Sequence, residues 1–479
     1  MAAGSPVHLP RVVVAGLSGD SGKTLVALGA ILLARNAGLP VGAFKKGPDY
    51  IDAAWLTWAS GRPARHLDSY LMGWEKVAGS FVAHADPGGL NVIEGNRGLY
   101  DGFDARGTHS TAELAKHLQA PVVLVVNAMK VSRTAAALVL GCQTLDPGVR
   151  IAGAVLNRVV GSRHERLLRA AVADVCGLPV FGAIPRARTG ALLPGRHLGL
   201  VTPEEHPEIG ALKQDLLALL DGHLDLAGIL GAAKETPPLP QRPGLCEFAP
   251  DGRGLTIGYL RDSAFTFYYP ENLEQIERSG ATLVPISSLS GGGVPECLNA
   301  LYIGGGFPET HGPELSSNRP FLESIRRSVE RGLPVYAECG GLMLLARTMT
   351  WQGRRYAMAG VLPVDVEVCD IPQGHGYVEL EVDQPNPFFP VGLALRGHEF
   401  HYSRVVPDGS GPLTACRVTR GAGTSPGRDG ITVGNVWAGY THVHAIATPE
   451  WITGLIAAAR RRAAPRAGSS DGSIPHGLR

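Results

Sequence analysis

Cys339 ends a short apolar run, Val335-Tyr336-Ala337-Glu338, and is followed by Gly340, Gly341 and a second apolar run, Leu342-Met343-Leu344-Leu345. That pattern reads as strand, sharp turn, helix, with Ala337 and Gly341 small enough to let the backbone turn tightly around an exposed nucleophile. The start of the helix would point free N–H groups at the sulfur and favour the thiolate. A lone cysteine is more often a buried structural residue, but this one has two companions. Ile303-Gly304-Gly305-Gly306-Phe307-Pro308-Glu309 is a glycine-rich turn after a strand, and its N–H groups could face an oxyanion. Tyr440-Thr441-His442-Val443-His444 places a histidine pair after another strand-like segment.

A second set of reactive residues lies near the amino terminus. The strand Arg11-Val12-Val13-Val14-Ala15-Gly16 runs into Leu17-Ser18-Gly19-Asp20-Ser21-Gly22-Lys23-Thr24 and then a helical pattern. In such a loop the N–H groups wrap phosphates, Lys23 reaches the outer ones, and the Thr24 hydroxyl meets Mg²⁺. The strict pattern asks for glycine where Leu17 stands. Two more strands end in acids: Val41 to Lys45 opens into Lys46-Gly47-Pro48-Asp49-Tyr50-Ile51-Asp52, and Asn91 to Glu94 opens into a loop reaching Asp101. Acids at the carboxyl ends of parallel strands face the crevice where such folds place ligands, and phosphoryl transfer needs them for Mg²⁺.

These motifs resemble known families. The glycine turn, cysteine elbow and late histidine are similar to a class I glutamine amidotransferase domain. The forms Gly-Gly-Gly-Phe-Pro-Glu and Ala-Glu-Cys-Gly-Gly resemble its cobyrinic acid synthase branch. The resemblance implies that Cys339 attacks the glutamine amide, that His442 is its base, and that the N–H groups of Gly306 and Gly340 are the oxyanion donors. Many class I members carry Glu two residues after the histidine; here that position is His444, which leaves the third member of the triad open. The phosphate loop, with its departure at Leu17, resembles the dethiobiotin synthetase-like branch of P-loop enzymes. The loops Lys-x-Gly-Pro-Asp-Tyr-Ile-Asp and Ile-Glu-Gly-x-x-Gly-Leu-Tyr-Asp-Gly resemble the cobyrinic acid a,c-diamide synthase family, and the likeness runs from residue 11 to about 460. It implies ATP on Ser18, Gly19, Asp20, Ser21, Gly22, Lys23 and Thr24, and Mg²⁺ on Thr24 and Glu94. It also implies a tetrapyrrole and phosphoryl-transfer site at Lys45, Asp49, Tyr50, Asp52 and Asp101.

The elements that must position these residues alternate strand and helix along the chain, so a mainly parallel α/β sheet is expected. The fold class is a P-loop doubly wound parallel sheet followed by a class I glutaminase-like α/β domain. Expected boundaries are an extension at 1–10, a synthetase domain at 11–227, a linker at 228–253 around the prolines 237, 238, 240 and 243, a glutaminase domain at 254–463, and a disordered tail at 464–479. Asn157-Arg158 after a strand is similar to the base-reading loop of P-loop folds. The run Arg396 to Ser403 contains His398 and His401, three apart and after a strand, so it is not a helical HExxH zinc site. Trp451 to Arg462 reads as a helix ending in three snorkelling arginines.

Composition narrows the function classes. With 479 residues, 44% hydrophobic and 18% charged, the chain can bury two cores. A net charge of +1 argues against a nucleic-acid binder driven by phosphate neutralisation. Seven cysteines without CxxC spacing fit a reducing cytoplasm, and no apolar run approaches a membrane span. The partners expected are therefore small molecules: a tetrapyrrole polycarboxylate, glutamine and ATP. The oligomeric state stays open, a homodimer included. The leading reading is ATP- and glutamine-dependent amidation of the a and c acetates of cobyrinic acid in cobalamin biosynthesis. The alternatives are a sirohydrochlorin-type ring, in nickel-sirohydrochlorin or siroheme formation, and a partitioning-type P-loop ATPase with an inert glutaminase-like domain.

Overall fold

Uninterrupted Val and Leu runs such as Val12-Val13-Val14 suit strands covered on both faces, and that is where they lie. The computed structural model describes residues 5–186, 192–196, 199–240, 250–407, 409 and 411–464. These divide into two compact units. The first takes in the described residues up to 240 together with 267–273 and 444–448; the second takes in the remainder from 250 onward.

In the first unit, β1 (Arg11–Gly16), β2 (Val41–Lys46), β3 (Arg65–Leu67), β4 (Leu90–Gly98), β5 (Val122–Asn127), β6 (Ile151–Val159) and β7 (Val180–Pro185) form a seven-stranded sheet of order β3-β2-β4-β1-β5-β6-β7. Every neighbouring pair is parallel. The chain leaves β1 toward β2 on one side, then returns to place β5 on the other. The carboxyl end of β1 is therefore a topological switch point, where open α/β sheets take ligands. Helix α1 (Lys23–Asn36) starts there and buries Leu25, Val26, Leu28, Ile31 and Leu32. Helix α2 (Tyr50–Ser60) follows β2; the Asp49 side chain caps it by accepting from Ile51 N and Asp52 N, and Gly61 ends it at φ 70°. Such a cap is worth about 1 kcal/mol.

The first unit extends further than the boundaries read from sequence. Residues 226–234 form a helix rather than the start of a linker, capped by Asp225 and burying Ile229, Ala232 and Ala233. Residues 7–10 are not an outlying extension, because Val7 bridges Leu239 and Leu9 is buried in the core. Physically, prolines 237 and 238 stop the helix, and the apolar residues before them are needed to cover the sheet. The expected tail from 465 lies outside the described residues, as does 241–249 of the linker.

The second unit is built on a ten-stranded mixed sheet. Its parallel half runs in the order Thr282–Ile286, Thr256–Leu260, Ala300–Ile303, Val335–Glu338, Val436–Gly439. The antiparallel half continues through Arg428–Val433, Thr414–Arg420, Gly374–Val382, Ala394–His401 and His442–Val443. A separate four-stranded sheet packs residues 348–368 with Ser403–Pro407. The terminal helix, Glu450–Ala463, ends as expected: Arg460, Arg461 and Arg462 donate to the carbonyls of Asp251, Pro387 and Arg331. Among the described residues no helix is long and apolar enough to cross a membrane.

Candidate active sites

In the first unit the phosphate loop is held by its own hydroxyls. Ser21 Oγ donates to Ser18 O at 2.9 Å and accepts from Ser18 N at 3.2 Å, while Lys23 Nζ donates to Ser18 O at 2.9 Å. Gly22 has φ 95° and Asp20 φ 53°, the left-handed backbone that such a loop requires. The departure at Leu17 has a structural answer in Gly16, one position earlier. A Cβ there would stand 2.9 Å from Ser21 Cβ and Oγ, so the glycine the loop needs is present, displaced by one residue. Asn157 braces the loop from β6: its Nδ2 donates to Ser21 O at 2.9 Å, and a Cβ on Gly22 would lie 2.0 Å from that nitrogen. In a segment whose sequence is similar to a base-reading loop, the side chain of Asn157 supports the phosphate cradle.

Two strand groups, Lys45 and Glu94, and Asp52 of α2 converge on Thr24. Its Oγ1 donates to Glu94 Oε1 at 2.7 Å and lies 3.4 Å from Asp52 Oδ1. Lys45 Nζ donates to Asp52 Oδ2 at 2.6 Å and to Gly95 O at 3.0 Å, and stands 3.4 Å from Glu94 Oε1. Burial alone would lower the Lys45 ammonium, but Asp52 and Glu94 outweigh it and hold the group above the ordinary lysine range. Burial also raises the Asp52 carboxyl, yet Lys45 overrides it and leaves Asp52 below its usual value. Glu94 meets the same ammonium only at 3.4 Å. Burial first, then the charge of Asp52, push its carboxyl up to about 7, and its Oε2 is buried without a hydrogen-bond partner. A cation delivered to Thr24 and Glu94 would relieve both conditions, and the donors are hard oxygens, as Mg²⁺ prefers.

The other sequence-expected residues separate. Asp49 spends Oδ1 on capping α2, and burial followed by Asp52 raises its carboxyl to about 6. Tyr50 is buried in an aromatic cluster, stacked on Phe267 at 5.3 Å and tilted against Tyr269 at 4.8 Å. Asp101 is exposed; its Oδ2 accepts from Gly98 N at 2.8 Å, and a Cβ on Gly98 would sit 2.8 Å from Leu17 O. Asp101 thus stands beside the amino end of the phosphate loop rather than within the Thr24 cluster.

In the second unit Cys339 is the elbow that the sequence implied, at φ 49° and ψ −101° between strand Val335–Glu338 and helix Gly340–Leu345. A non-glycine residue held there costs on the order of 1–3 kcal/mol. The glycines do what close approach demands. A Cβ on Gly341 would lie 2.6 Å from Ile303 O, one on Gly306 would lie 2.1 Å from Ala264 O, and one on Gly340 would come within 3.1 Å of Gly306 N. The backbones of Gly306 and Gly340 therefore meet beside the thiol.

The expected ease of forming a thiolate is not found. Burial, with the carboxylates of Glu309, Glu338 and Glu399 adding to it, pushes the Cys339 thiol well above its ordinary value, and the Gly340 N–H offsets only part. The helix behind it is six residues long, too short for a strong dipole. In these surroundings the group rests as a thiol, and an attack from it would need a base.

His442 supplies a ring in that region. Asp429 holds the turn before it, accepting from Tyr440 N at 3.1 Å, Thr441 N at 3.2 Å and Thr441 Oγ1 at 2.7 Å. His442 Nδ1 lies 3.3 Å from Glu338 Oε2, and its ring stacks on that of His398 at 4.9 Å. His401 stacks on Tyr440 at 3.6 Å and is bound to Ser403 O, so the two histidines of the Arg396–Ser403 run serve the support of this strand. His444 turns elsewhere. It is fully buried in the first unit, 4.4 Å from the Tyr269 ring, with Nε2 3.6 Å from Glu271 Oε2, and burial holds it neutral.

The two stretches of chain that carry these residues match described families. Residues 12–201 match the CobQ/CobB/MinD/ParA nucleotide binding domain, and residues 256–449 match the CobB/CobQ-like glutamine amidotransferase domain. The cobyrinate a,c-diamide synthase of Magnetococcus marinus is 42% identical over 451 residues, 93% of this chain and 96% of that protein. Those of Archaeoglobus fulgidus and Salmonella typhimurium are 38% and 36% identical, and the matches span 95% and 98% of their lengths and 92% and 94% of this chain. The chain belongs to the cobyrinate a,c-diamide synthase family.

As a member of that family it is a glutamine-dependent, amide-forming ligase, with a nucleotide-binding first unit and a glutaminase-type second unit. Two groups of this cobyrinate a,c-diamide synthase-type chain escaped the sequence reading: Asp429 behind Tyr440 and Thr441, and Glu338 against His442. A strand-final acid immediately before the nucleophile was the signal available for Glu338.

Proposed function

We propose that the protein converts the a and c acetate side chains of cobyrinic acid to amides, using ATP and glutamine. The observation that carries this reading is the identity of 36–42% to proteins named cobyrinate a,c-diamide synthase along almost their whole length. Ammonia does not displace the oxygen of a carboxylate unaided, because that oxygen leaves poorly. ATP at the phosphate loop answers the difficulty. An acetate oxygen attacks the γ-phosphorus, ADP departs, and an acyl phosphate remains. Ammonia then attacks the acyl carbon, phosphate leaves, and loss of a proton gives the amide.

The chain's own residues divide this work. Ser18 to Gly22 wrap the phosphates with N–H groups, and Lys23 neutralises the transferring group. Thr24 and Glu94 would hold Mg²⁺, with Asp52 beside them; the ion supplies charge neutralisation on the phosphates. Lys45 keeps Asp52 ionised, and Asp49 and Tyr50 set the helix that carries it. Asp101, at the open edge, meets the ring substituents. In the glutaminase unit Cys339 attacks the amide carbon as His442 takes its proton, and Gly306 and Gly340 N–H groups receive the oxyanion. His442 returns the proton to the departing ammonia, and water hydrolyses the thioester to glutamate. These steps suit the cytoplasm, where ATP, glutamine and reduced thiols coexist.

Mass spectra of the products test the substrate. With ATP, glutamine and cobyrinic acid, the purified enzyme is expected to give one and then two amidations, each step lowering the mass by about 1 Da. Amidation of sirohydrochlorin with cobyrinic acid left unchanged would overturn the assignment.

A further inference from the structure

The base in the glutaminase unit needs its ring held with one particular nitrogen toward the thiol, and the structure shows which group faces the other nitrogen. We propose that Glu338 is the positioning residue for His442, so that the acid of the triad comes from the nucleophile's own strand. This rests on the reading of Cys339 as nucleophile and His442 as base, and goes beyond it in naming the third group.

The geometry is specific. Glu338 is 0% exposed and its two oxygens face three donors. Oε1 accepts from Val443 N at 3.0 Å, while Oε2 accepts from Tyr302 Oη at 3.1 Å and faces His442 Nδ1 at 3.3 Å. One carboxylate therefore grips both the histidine ring and the backbone one residue beyond it. In a continuous strand residues 338 and 339 would point to opposite faces. The reversal at Cys339, φ 49° and ψ −101°, breaks that alternation directly after Glu338. The sheet supplies the rest: Glu338 pairs with Gly439, from which the chain turns through Asp429-bound Tyr440 and Thr441 to His442.

The neighbouring acidic and basic groups have other engagements. Glu399 accepts from Ala422 N at 2.6 Å, from Gly423 N at 3.0 Å, and lies 3.3 Å from His401. His398 meets His442 face to face, a contact that brings no carboxylate to Nδ1. His444 lies against Tyr269 and Glu271 in the first unit. An ionised Glu338 can only accept, so the proton it binds fixes the tautomer with the proton on Nδ1 and the lone pair on Nε2. When Nε2 takes the Cys339 proton, the imidazolium charge forms next to a buried carboxylate instead of alone in the core.

The test uses the full-length enzyme and Glu338→Gln, which keeps shape and an acceptor oxygen but removes the charge. Glutamine-dependent kcat is expected to fall about 10²–10⁴-fold, as when the acid of a comparable triad is neutralised. KM for glutamine, ammonia-dependent synthesis and the melting temperature should stay near their original values. A second arm places Glu338→Gln in a His442→Ala background, where a group acting only through His442 adds no further loss. Should the variant not fold, ¹⁵N-histidine NMR of the unsubstituted enzyme, with His442 assigned by its absence in His442→Ala, reads the tautomer directly. A proton on Nδ1 supports the assignment. Unchanged kcat in Glu338→Gln, equal losses with and without His442, or a proton on Nε2 overturns it. Failure of the Cys339 reading would look different, because Cys339→Ala would then keep its glutamine-dependent activity.

Discussion

Lys23→Ala is expected to stop amide synthesis with glutamine and with ammonia alike. Lys23 Nζ folds back onto Ser18 O at 2.9 Å, poised over the loop whose N–H groups hold the phosphates. Its loss leaves the charge developing on the transferring phosphoryl group without its main protein cation. Removing one preorganised charged group of this kind typically costs ~10²–10³-fold or more. Glu94→Gln should have a similar effect for a different reason: Thr24 keeps an acceptor, but the only negative charge it meets at 2.7 Å is gone. Glutamine hydrolysis at Cys339 should continue in both variants. Synthesis by Glu94→Gln at the original rate with limiting Mg²⁺ would remove the metal role from this residue.

The first site was more legible in sequence than the second, and the reason is local. Ser18 to Gly22 form a continuous loop running into Lys23 and Thr24 of α1, and its function lies in its backbone, so the run of glycines and hydroxyls announces it. Even there the Leu17 departure became intelligible only when Gly16 was seen packed on Ser21. Lys45, Asp52 and Glu94 were each marked by standing near a strand end, but their grouping around Thr24 depends on β2, β4 and β1 lying side by side. The linker boundary failed because residues 226–234 carry weak helical signals between a glycine and a proline-rich run, and their burial is decided by the sheet they cover. Thiolate stabilisation failed because a six-residue helix cannot outweigh burial and three nearby carboxylates. The pairing of Glu338 with His442 spans 104 positions, and no local pattern reports it.

Cys339→Ala is the second large effect. Glutamine-dependent synthesis should drop to background, a loss of several orders of magnitude for a missing covalent nucleophile. Synthesis from added ammonia should survive, since none of Lys23, Lys45, Asp52 and Glu94 is altered. The substitution is also mild for the fold: an alanine at φ 49° meets the same backbone strain the cysteine already bears, and the buried thiol is small. Loss of both activities in a folded Cys339→Ala protein would contradict the division of labour between the two units.

At the centre of the account is an acyl phosphate, formed on the substrate acetate at the phosphate loop and consumed by ammonia. It leaves a mark on oxygen. Substrate carrying ¹⁸O in its acetate carboxyls should pass one labelled oxygen to each phosphate released, because the bond broken in the second step lies between the acyl carbon and that oxygen. Mass analysis of the phosphate formed during a single amidation reads this directly. One ¹⁸O per phosphate, in step with amide formation, is the expected result; unlabelled phosphate accumulating alongside amide would contradict it.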